Sequence, residues 1–212
     1  MADDKGRIAQ GTGTAVVTSV EVTTDMTTDD AAHTNTRTDA PIPVRAETKQ
    51  RSPYEGAMRE ALRQAESAAV AGDMPIGAVV LNADGTVIAT GRNMREVHCD
   101  PLSHAEVEAM RAAARALGTW NLADCTLVVT LEPCPMCAGA AVSAHMGRIV
   151  FGAWDPKMGA CGSVWDIPRD PHVGAMPQVY GGVLESDCSR QLTAYFHTLR
   201  TVEQDNEQGK RQ

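Results

Sequence analysis

The residues best able to do chemistry lie in two short motifs, His104-Ala105-Glu106 and Pro133-Cys134-Pro135-Met136-Cys137. Cys134 and Cys137 are three positions apart, so at the start of a helix both sulfurs lie on one face. Pro135 suits the first helical turn, where the N–H that it lacks would have no intrahelical partner. The helix dipole at this end favours thiolates, the form of cysteine that binds metals. The spacing therefore predicts a pair of metal ligands.

His104 completes a predicted ligand set for one zinc ion per subunit, because two thiolates and a neutral imidazole balance the charge of zinc. Three protein ligands leave the fourth tetrahedral position open to water, as in catalytic zinc sites. Zinc lowers the pKa of such a water to about 7. We expect Glu106 to move protons between this water and a substrate without binding the metal. Residues two apart in a helix diverge, so His104 and Glu106 converge only on a metal beyond the helix end.

The paired cysteines also fit half of a zinc ribbon, a redox pair or a coincidence. A ribbon needs a second Cys-x-x-Cys, and the remaining cysteines are isolated: Cys99, Cys125, Cys161 and Cys188. A redox pair leaves His104-Ala105-Glu106 without a role. The two motifs together favour a zinc enzyme.

Composition limits the class of protein. A chain of 212 residues with 43% hydrophobic residues can form one ordinary domain. The net charge of −8 excludes a uniformly basic nucleic-acid surface. The sequence has neither an apolar run of membrane length nor a signal peptide at its start, so we expect a cytoplasmic protein with reduced thiols.

The hydrophobic pattern divides the chain into three parts. Residues 1–50 contain no Leu, Phe, Trp or Tyr and are rich in Thr, Asp and Ala, which predicts a disordered tail. Residues 51–201 are predicted to form the zinc-dependent domain. Residues 202–212 are predicted to be a polar C-terminal tail.

Within the predicted domain, helical and strand patterns alternate. Ser52 is the predicted N-cap of a first helix that reaches Gly72. The predicted strands are 75–81, 86–90, 126–131, 148–153 and 178–184, and the further predicted helices are 103–117, 135–144 and 187–200. This order predicts a three-layer α/β/α domain with a mixed central sheet of about five strands.

The motifs resemble those of a known family. The most specific stretches are 74–79, 91–93, 100–106, 130–140 and 148–153. They are similar to the zinc-dependent cytidine/deoxycytidylate deaminase family, and within it to the bacterial tRNA-specific adenosine deaminases. The resemblance covers roughly residues 53–200 and implies the cytidine-deaminase-like fold.

The resemblance also implies a reaction and a substrate. It implies zinc on His104, Cys134 and Cys137 with Glu106 as the proton shuttle. The family's reaction is hydrolytic deamination of the wobble adenosine of a tRNA anticodon to inosine. Family members are homodimers, and the small residues of 138–144 suit a close helix interface.

Three further positions match substrate contacts of the family. The resemblance implies that Asn93 hydrogen-bonds the purine, that Ile76 packs against the base, and that Asp155 contacts the sugar. Asn93 and Asp155 also suit turns, and Ile76 also suits a core.

Several positions depart from the family pattern on the expected RNA side. They are Trp154, Met158, Cys161 and the loop Met176-Pro177-Gln178. These departures keep open a deaminase of a free base or nucleoside, such as guanine or cytidine. A non-catalytic, zinc-stabilised binding protein is a third hypothesis.

Overall fold

The computed structural model describes residues 52–174 and 176–209, with side chains up to residue 201. The predicted tail of residues 1–50 therefore lies outside the described residues, as do residues 210–212. Within the described ranges, no helix is both long enough and apolar enough to cross a membrane.

Five strands form one mixed sheet, as predicted. They are β1 (Gly77–Leu81), β2 (Val87–Arg92), β3 (Thr126–Leu131), β4 (Arg148–Ala153) and β5 (Gln178–Tyr180). Their order is β2-β1-β3-β4-β5. The β1 strand is antiparallel to both β2 and β3, whereas β3, β4 and β5 are mutually parallel neighbours. The parallel pairs place the ends of β3 and β4 at the same edge of the sheet.

Helices cover both faces of the sheet. They are α1 (Glu55–Val70), α2 (Arg95–His98), α3 (Ala105–Leu117), α4 (Pro135–Ser143) and α5 (Glu185–Gly209). Alternate strand residues divide between two cores: Val80 and Val129 pack with α3 and α4, while Val79 and Val128 pack with α1 and α5. This alternation follows from the two-residue period of a strand. The predicted three-layer α/β/α architecture is confirmed.

The start of the first helix differs from the prediction. Ser52 is not its N-cap, because α1 begins at Glu55. The Ser52 hydroxyl accepts a hydrogen bond from the Tyr54 amide at 3.3 Å, and its carbonyl accepts one from the Glu55 amide at 3.1 Å. Ser52 thus closes a turn before the helix.

The last strand and the last helix also differ from the prediction. The β5 strand ends at Tyr180 because the chain turns at Gly182, whose φ of +81° favours glycine. The α5 helix begins at Glu185, so Asp187, the first residue of the predicted helix, lies inside its first turn. It continues to Gly209, past the predicted end at Arg200.

Candidate active site

The N-termini of α3 and α4 bring the two motifs together. His104 is the residue before α3 and has an extended backbone, with φ −75° and ψ 154°. Cys134 occupies the same place before α4, with φ −70° and ψ 170°, and Cys137 lies in the first turn. His104 therefore lies outside the helix that carries Glu106. A metal beyond the helix end is the arrangement that the sequence predicted.

Three potential metal ligands converge at this point. The ligand atoms of His104, Cys134 and Cys137 all lie within 4.8 Å of one another. Nδ1 of His104 is 3.8 Å from Sγ of Cys134 and 3.5 Å from Sγ of Cys137. One imidazole nitrogen and two sulfurs are a donor set that zinc prefers, and three ligands leave a fourth position for water. Among the described residues, no other group of this kind could hold a metal.

The two thiols of the cluster differ in their affinity for a proton. A hydrogen bond from Cys137 lowers the pKa of the Cys134 thiol to about 4, and contact with His104 acts in the same direction. The same hydrogen bond, together with burial, raises the pKa of Cys137. The hydrogen bond with Cys134 raises the pKa of His104. The cluster without metal therefore holds one thiolate stabilised by two donors, ready to exchange those protons for a cation.

Glu106 lies in the first turn of α3, beside the cluster and outside the ligand set. Its side chain is buried, with 4% of its surface exposed. Burial raises the pKa of its carboxyl, and the charge of Cys134 acts in the same direction. A carboxyl whose pKa is raised towards neutral pH is suited both to accept and to return a proton.

Gly91 allows the end of β2 to lie against α3, close to the candidate site. A Cβ on Gly91 would lie 2.3 Å from the carbonyl oxygen of Ala105 and 2.4 Å from the amide nitrogen of Ala109. The α3 backbone can therefore approach β2 only because residue 91 lacks a side chain. This close approach places Asn93, two residues further on, beside the N-terminus of α3.

The predicted purine contacts, Asn93 and Ile76, are neighbours. The Asn93 amide donates to the Ile76 carbonyl at 2.9 Å. The Asn93 side chain is buried, and its Nδ2 donates to Oδ1 of Asp73 at 3.2 Å. Ile76 is half-buried against the core that contains α3. Their roles as base contacts remain predictions.

Asp155 lies on a loop that Glu132 ties to the site. Glu132 is 2% exposed, and its carboxylate accepts from the amides of Asp155, Cys161 and Ser163 at 3.0–3.1 Å. It lies two residues before Cys134, so the loop is held against the segment that carries a metal ligand. The role of Asp155 as a sugar contact stays a prediction.

Two buried carboxylates at the site were missed from the sequence. They are Asp73 and Glu132, which together accept hydrogen bonds from six amide groups, five of the backbone and one of a side chain. The signal that could have found them is a single acidic residue close to the end of a predicted apolar strand.

A family profile and a close relative agree on the class of this site. The profile of the cytidine and deoxycytidylate deaminase zinc-binding region matches residues 51–153. A tRNA-specific adenosine deaminase of Bacillus subtilis is 43% identical over 143 residues, which is 68% of this chain and 88% of that protein. The chain belongs to the cytidine and deoxycytidylate deaminase family. The His104, Cys134 and Cys137 cluster lies within the matched zinc-binding region.

Further comparisons match this chain to proteins that are named for their action on tRNA. A structure from a study of A-to-I editing by tRNA:A34 deaminases at the wobble position is 41% identical, with a TM-score of 0.63. The match covers 65% of this chain and 99% of that one. A tRNA(Ile)-lysidine synthase of Deinococcus radiodurans is 50% identical over 156 residues, 74% of this chain. The deaminase spans only 27% of that longer protein.

The positions that depart from the family pattern fall into two groups. Trp154 is half-exposed, and its ring stands edge-on to Phe151 at 4.7 Å. Met158 and Met176 are also exposed. Cys161, expected on the RNA side, is buried, because its amide is held by Glu132 inside the loop. That expectation was wrong for Cys161, whose replacement changes the core of the loop and not its surface.

Proposed function

We propose that this deaminase converts the wobble adenosine of a tRNA anticodon to inosine. The reaction adds one water to C6 of the base and releases one ammonia. The observation that carries the proposal is the buried carboxyl of Glu106 beside a cluster of three residues able to bind zinc. The relative of which this chain covers 88% is named a tRNA-specific adenosine deaminase, and the structure of which it covers 99% comes from a study of tRNA:A34 deaminases, which supports the choice of substrate.

The chain's own residues supply the proton transfers. Zinc on His104, Cys134 and Cys137 would make a water available that ionises near pH 7. Glu106 accepts a proton from the attacking water and passes it to the ring nitrogen of the base. It then passes the second proton to the departing amine, so that ammonia leaves and Glu106 returns to its starting state. The apolar surroundings that raise the pKa of Glu106 help it hold each proton between the two transfers.

The substrate side of the proposal rests on three positions. The target base must leave its stack to reach a buried zinc site, and a single-stranded anticodon loop reduces the cost of this step. Asn93 would hydrogen-bond the extruded purine, and Ile76 would pack against its face. Asp155 would contact the sugar. The hydrogen bonds around Asn93 and Asp155 support these roles, because Asp73 orders the side chain of Asn93 and Glu132 holds the backbone of Asp155.

We also propose one zinc ion per chain and a location in the cytoplasm. Metal analysis of the purified protein tests the stoichiometry. About one zinc per chain is expected, and the variant Cys134→Ser should retain much less. A zinc-free active enzyme would contradict the proposal.

The homodimer remains a proposal, for which one surface is suited. An apolar groove between α3 and α4 is lined by Val107, Met110, Arg111, Ala114, Trp120, Leu122, Ala140 and Ala144. Trp120 is 64% exposed at its rim. We expect a dimer in sedimentation experiments and a monomer for Ala140→Arg. Ala83→Arg, on the exposed hairpin turn, is the matched control and should remain dimeric.

The decisive experiment uses an anticodon stem-loop of an arginine tRNA with adenosine at the wobble position. The zinc-loaded protein should convert this adenosine to inosine, as read by mass spectrometry of the digested RNA. Glu106→Gln should leave it unchanged. The absence of inosine at micromolar enzyme would contradict the proposed function.

The exposed apolar side chains of Trp154, Met158 and Met176 favour testing a second candidate, the deamination of a free base or nucleoside. The same protein should then release ammonia from guanine or cytidine and leave the stem-loop intact. Membership of a deaminase family, together with Glu106 beside an open site, argues against the third hypothesis of a non-catalytic binding protein.

A further inference from the structure

We infer that Asp73 is a positioning residue that fixes the orientation of Asn93 at the substrate side of the site. The inference deepens the proposed function, because it rests on Asn93 as a purine contact. Asp73 lies between the end of α1 and the start of β1 and has no part in the metal cluster.

The geometry around Asp73 is that of a buried hydrogen-bond acceptor. Asp73 is buried, with 1% of its surface exposed. Oδ1 accepts from Nδ2 of Asn93 at 3.2 Å and from the amide of Glu96 at 3.1 Å, and Oδ2 accepts from the amide of Val97 at 3.2 Å. Within the described part of the chain, no basic side chain forms an ion pair with it. Three neutral donors therefore replace the water that this carboxylate loses on folding.

The carboxylate determines which end of the Asn93 amide faces the substrate. An ionised carboxylate can only accept hydrogen bonds, so the group of Asn93 that faces Asp73 must be the amino group. The Oδ1 atom of Asn93 is thereby left as an acceptor for a ligand. Without Asp73, the amide could rotate by half a turn and exchange its donor and acceptor. Asp73 thus gives Asn93 a single hydrogen-bonding polarity before substrate binds.

The same carboxylate holds the helix that follows Asn93. The amides of Glu96 and Val97 belong to the single turn of α2, where the start of a helix offers them no backbone acceptor. Asp73 thus holds Asn93 in two ways. It binds the side chain of Asn93 directly, and it binds the helical turn that follows Asn93 in the chain. We conclude that Asp73 acts on catalysis through Asn93.

A double-mutant cycle tests this coupling. The variant Asp73→Asn preserves the volume of the side chain but places an amino group among three donors. We expect kcat/KM on the stem-loop to fall about tenfold or more in the otherwise unchanged protein. In the Asn93→Ala background the same substitution should cost less than about threefold, because the residue through which it acts is gone. Equal losses in both backgrounds would overturn the inference.

A structural measurement separates this inference from the proposed function. In the zinc-loaded protein labelled with nitrogen-15, the side-chain amide signals of Asn93 should exchange slowly with water and shift strongly in Asp73→Asn. This signature is expected whatever the substrate proves to be. Signals of Asn93 that are unchanged by Asp73→Asn would overturn the inference even if the enzyme makes inosine.

Two controls guard against a simple loss of folding. Asp84→Asn removes a charge from the hairpin turn, at the opposite end of the β1–β2 hairpin from Asn93, and should change neither kcat/KM nor the Asn93 signals. Zinc content and the melting temperature are measured for every variant. Should Asp73→Asn fail to bind zinc, the milder substitution Asp73→Ser is used, and the same non-additivity with Asn93→Ala is required.

Discussion

A buried carboxyl is the residue on which the proposed chemistry depends. Glu106 lies in a position where its charge is costly, and burial raises its pKa. Such a group lowers the stability of the folded protein when it ionises, but it is suited to carrying protons. The cost is tolerated at a site where a proton must be accepted and returned in one catalytic cycle.

The substitution Glu106→Gln removes the proton carrier and keeps the shape of the side chain. We expect kcat to fall by about 10² to 10⁴-fold, the usual contribution of general acid–base catalysis. Zinc content should not change, because Glu106 is outside the ligand set. Glu66→Gln, at an exposed position of α1, is the control and should keep its activity within about threefold. Loss of zinc in Glu106→Gln would show that Glu106 is a ligand.

The raised pKa of Glu106 also predicts a pH dependence of stability in the zinc-free protein. The folded state retains this proton at pH values where the unfolded state loses it, so ionisation opposes folding. As pH rises above the ordinary value of about 4.5, wild-type stability should fall relative to Glu106→Gln. Below that pH the difference should disappear. Urea unfolding at pH 4 and pH 7 measures it, and a difference that grows towards low pH would contradict the assignment.

At the scale of elements, one close contact between a strand and a helix positions half of the site. Gly91 allows α3 to lie against β2, with His104 immediately before α3 and Glu106 in its first turn. A methyl group at residue 91 must push the helix away from the sheet. The positions of His104 and of the proposed proton carrier Glu106 therefore depend on a residue outside the candidate site.

The substitution Gly91→Ala should destabilise the protein by about 1–3 kcal/mol through overpacking. It should also lower kcat, because the displaced helix moves His104 and Glu106 relative to α4. Thermal unfolding and the stem-loop assay measure the two effects. Gly56→Ala, in the first turn of α1 with open space around its Cβ, is the control and should be neutral or stabilising. A Gly91→Ala protein with normal stability and activity would show that α3 can retreat without consequence.

Zinc should also act as a cross-link between elements, because its ligands come from the ends of two helices. Removing zinc with a chelator should lower the melting temperature by about 5 °C or more, since ligand binding at saturating zinc stabilises the folded state by several kcal/mol. Adding zinc back should restore it. Cys134→Ser should melt at the lower temperature with or without the chelator. If the chelator left the melting temperature unchanged, the N-termini of α3 and α4 would be held in place without metal.

At the scale of the whole molecule, the charge of the chain bears on how the proposed RNA substrate would be held. The net charge is −8, and the exposed side chains next to the predicted sugar contact Asp155 include Trp154 and Met158. A chain of this charge has no uniformly basic surface for phosphates. On the proposed function, we therefore expect recognition of the anticodon loop to depend mainly on the extruded base and on contacts near it.

This limit predicts a weak dependence of RNA affinity on salt. For Glu106→Gln, which binds without turnover, the logarithm of affinity for the stem-loop should fall with the logarithm of salt concentration. A slope of about −2 or shallower corresponds to three or fewer neutralised phosphates on a single strand. Fluorescence anisotropy at several salt concentrations measures it. Adding Trp154→Arg to this protein should steepen the slope. A steep slope without that substitution would contradict a small electrostatic contribution to the RNA affinity.

The sequence by itself determined the order of the main elements and the spacing of the candidate metal ligands. Continuous apolar runs in the strands require a sheet covered on both faces, and the spacing of Cys134 and Cys137 at a helix start directs both sulfurs to one side. These are local properties of the backbone, which is why β3 and β4 were predicted to the residue. The ends of α1, β5 and α5 were not, because turns at Ser52 and Gly182 depend on what packs around them.

Only the tertiary structure decided which distant residues support the site. Asp73 reaches Asn93 across twenty residues, and Glu132 holds amides of a loop that follows another strand. Neither pair could be predicted from its spacing in the sequence. A buried carboxylate accepts hydrogen bonds from whichever amides the fold brings close to it. Cys161 likewise became a core residue through the loop that Glu132 folds. Local sequence patterns predict which residues can do the chemistry, whereas long-range hydrogen bonds determine how rigidly the residues around the site are positioned.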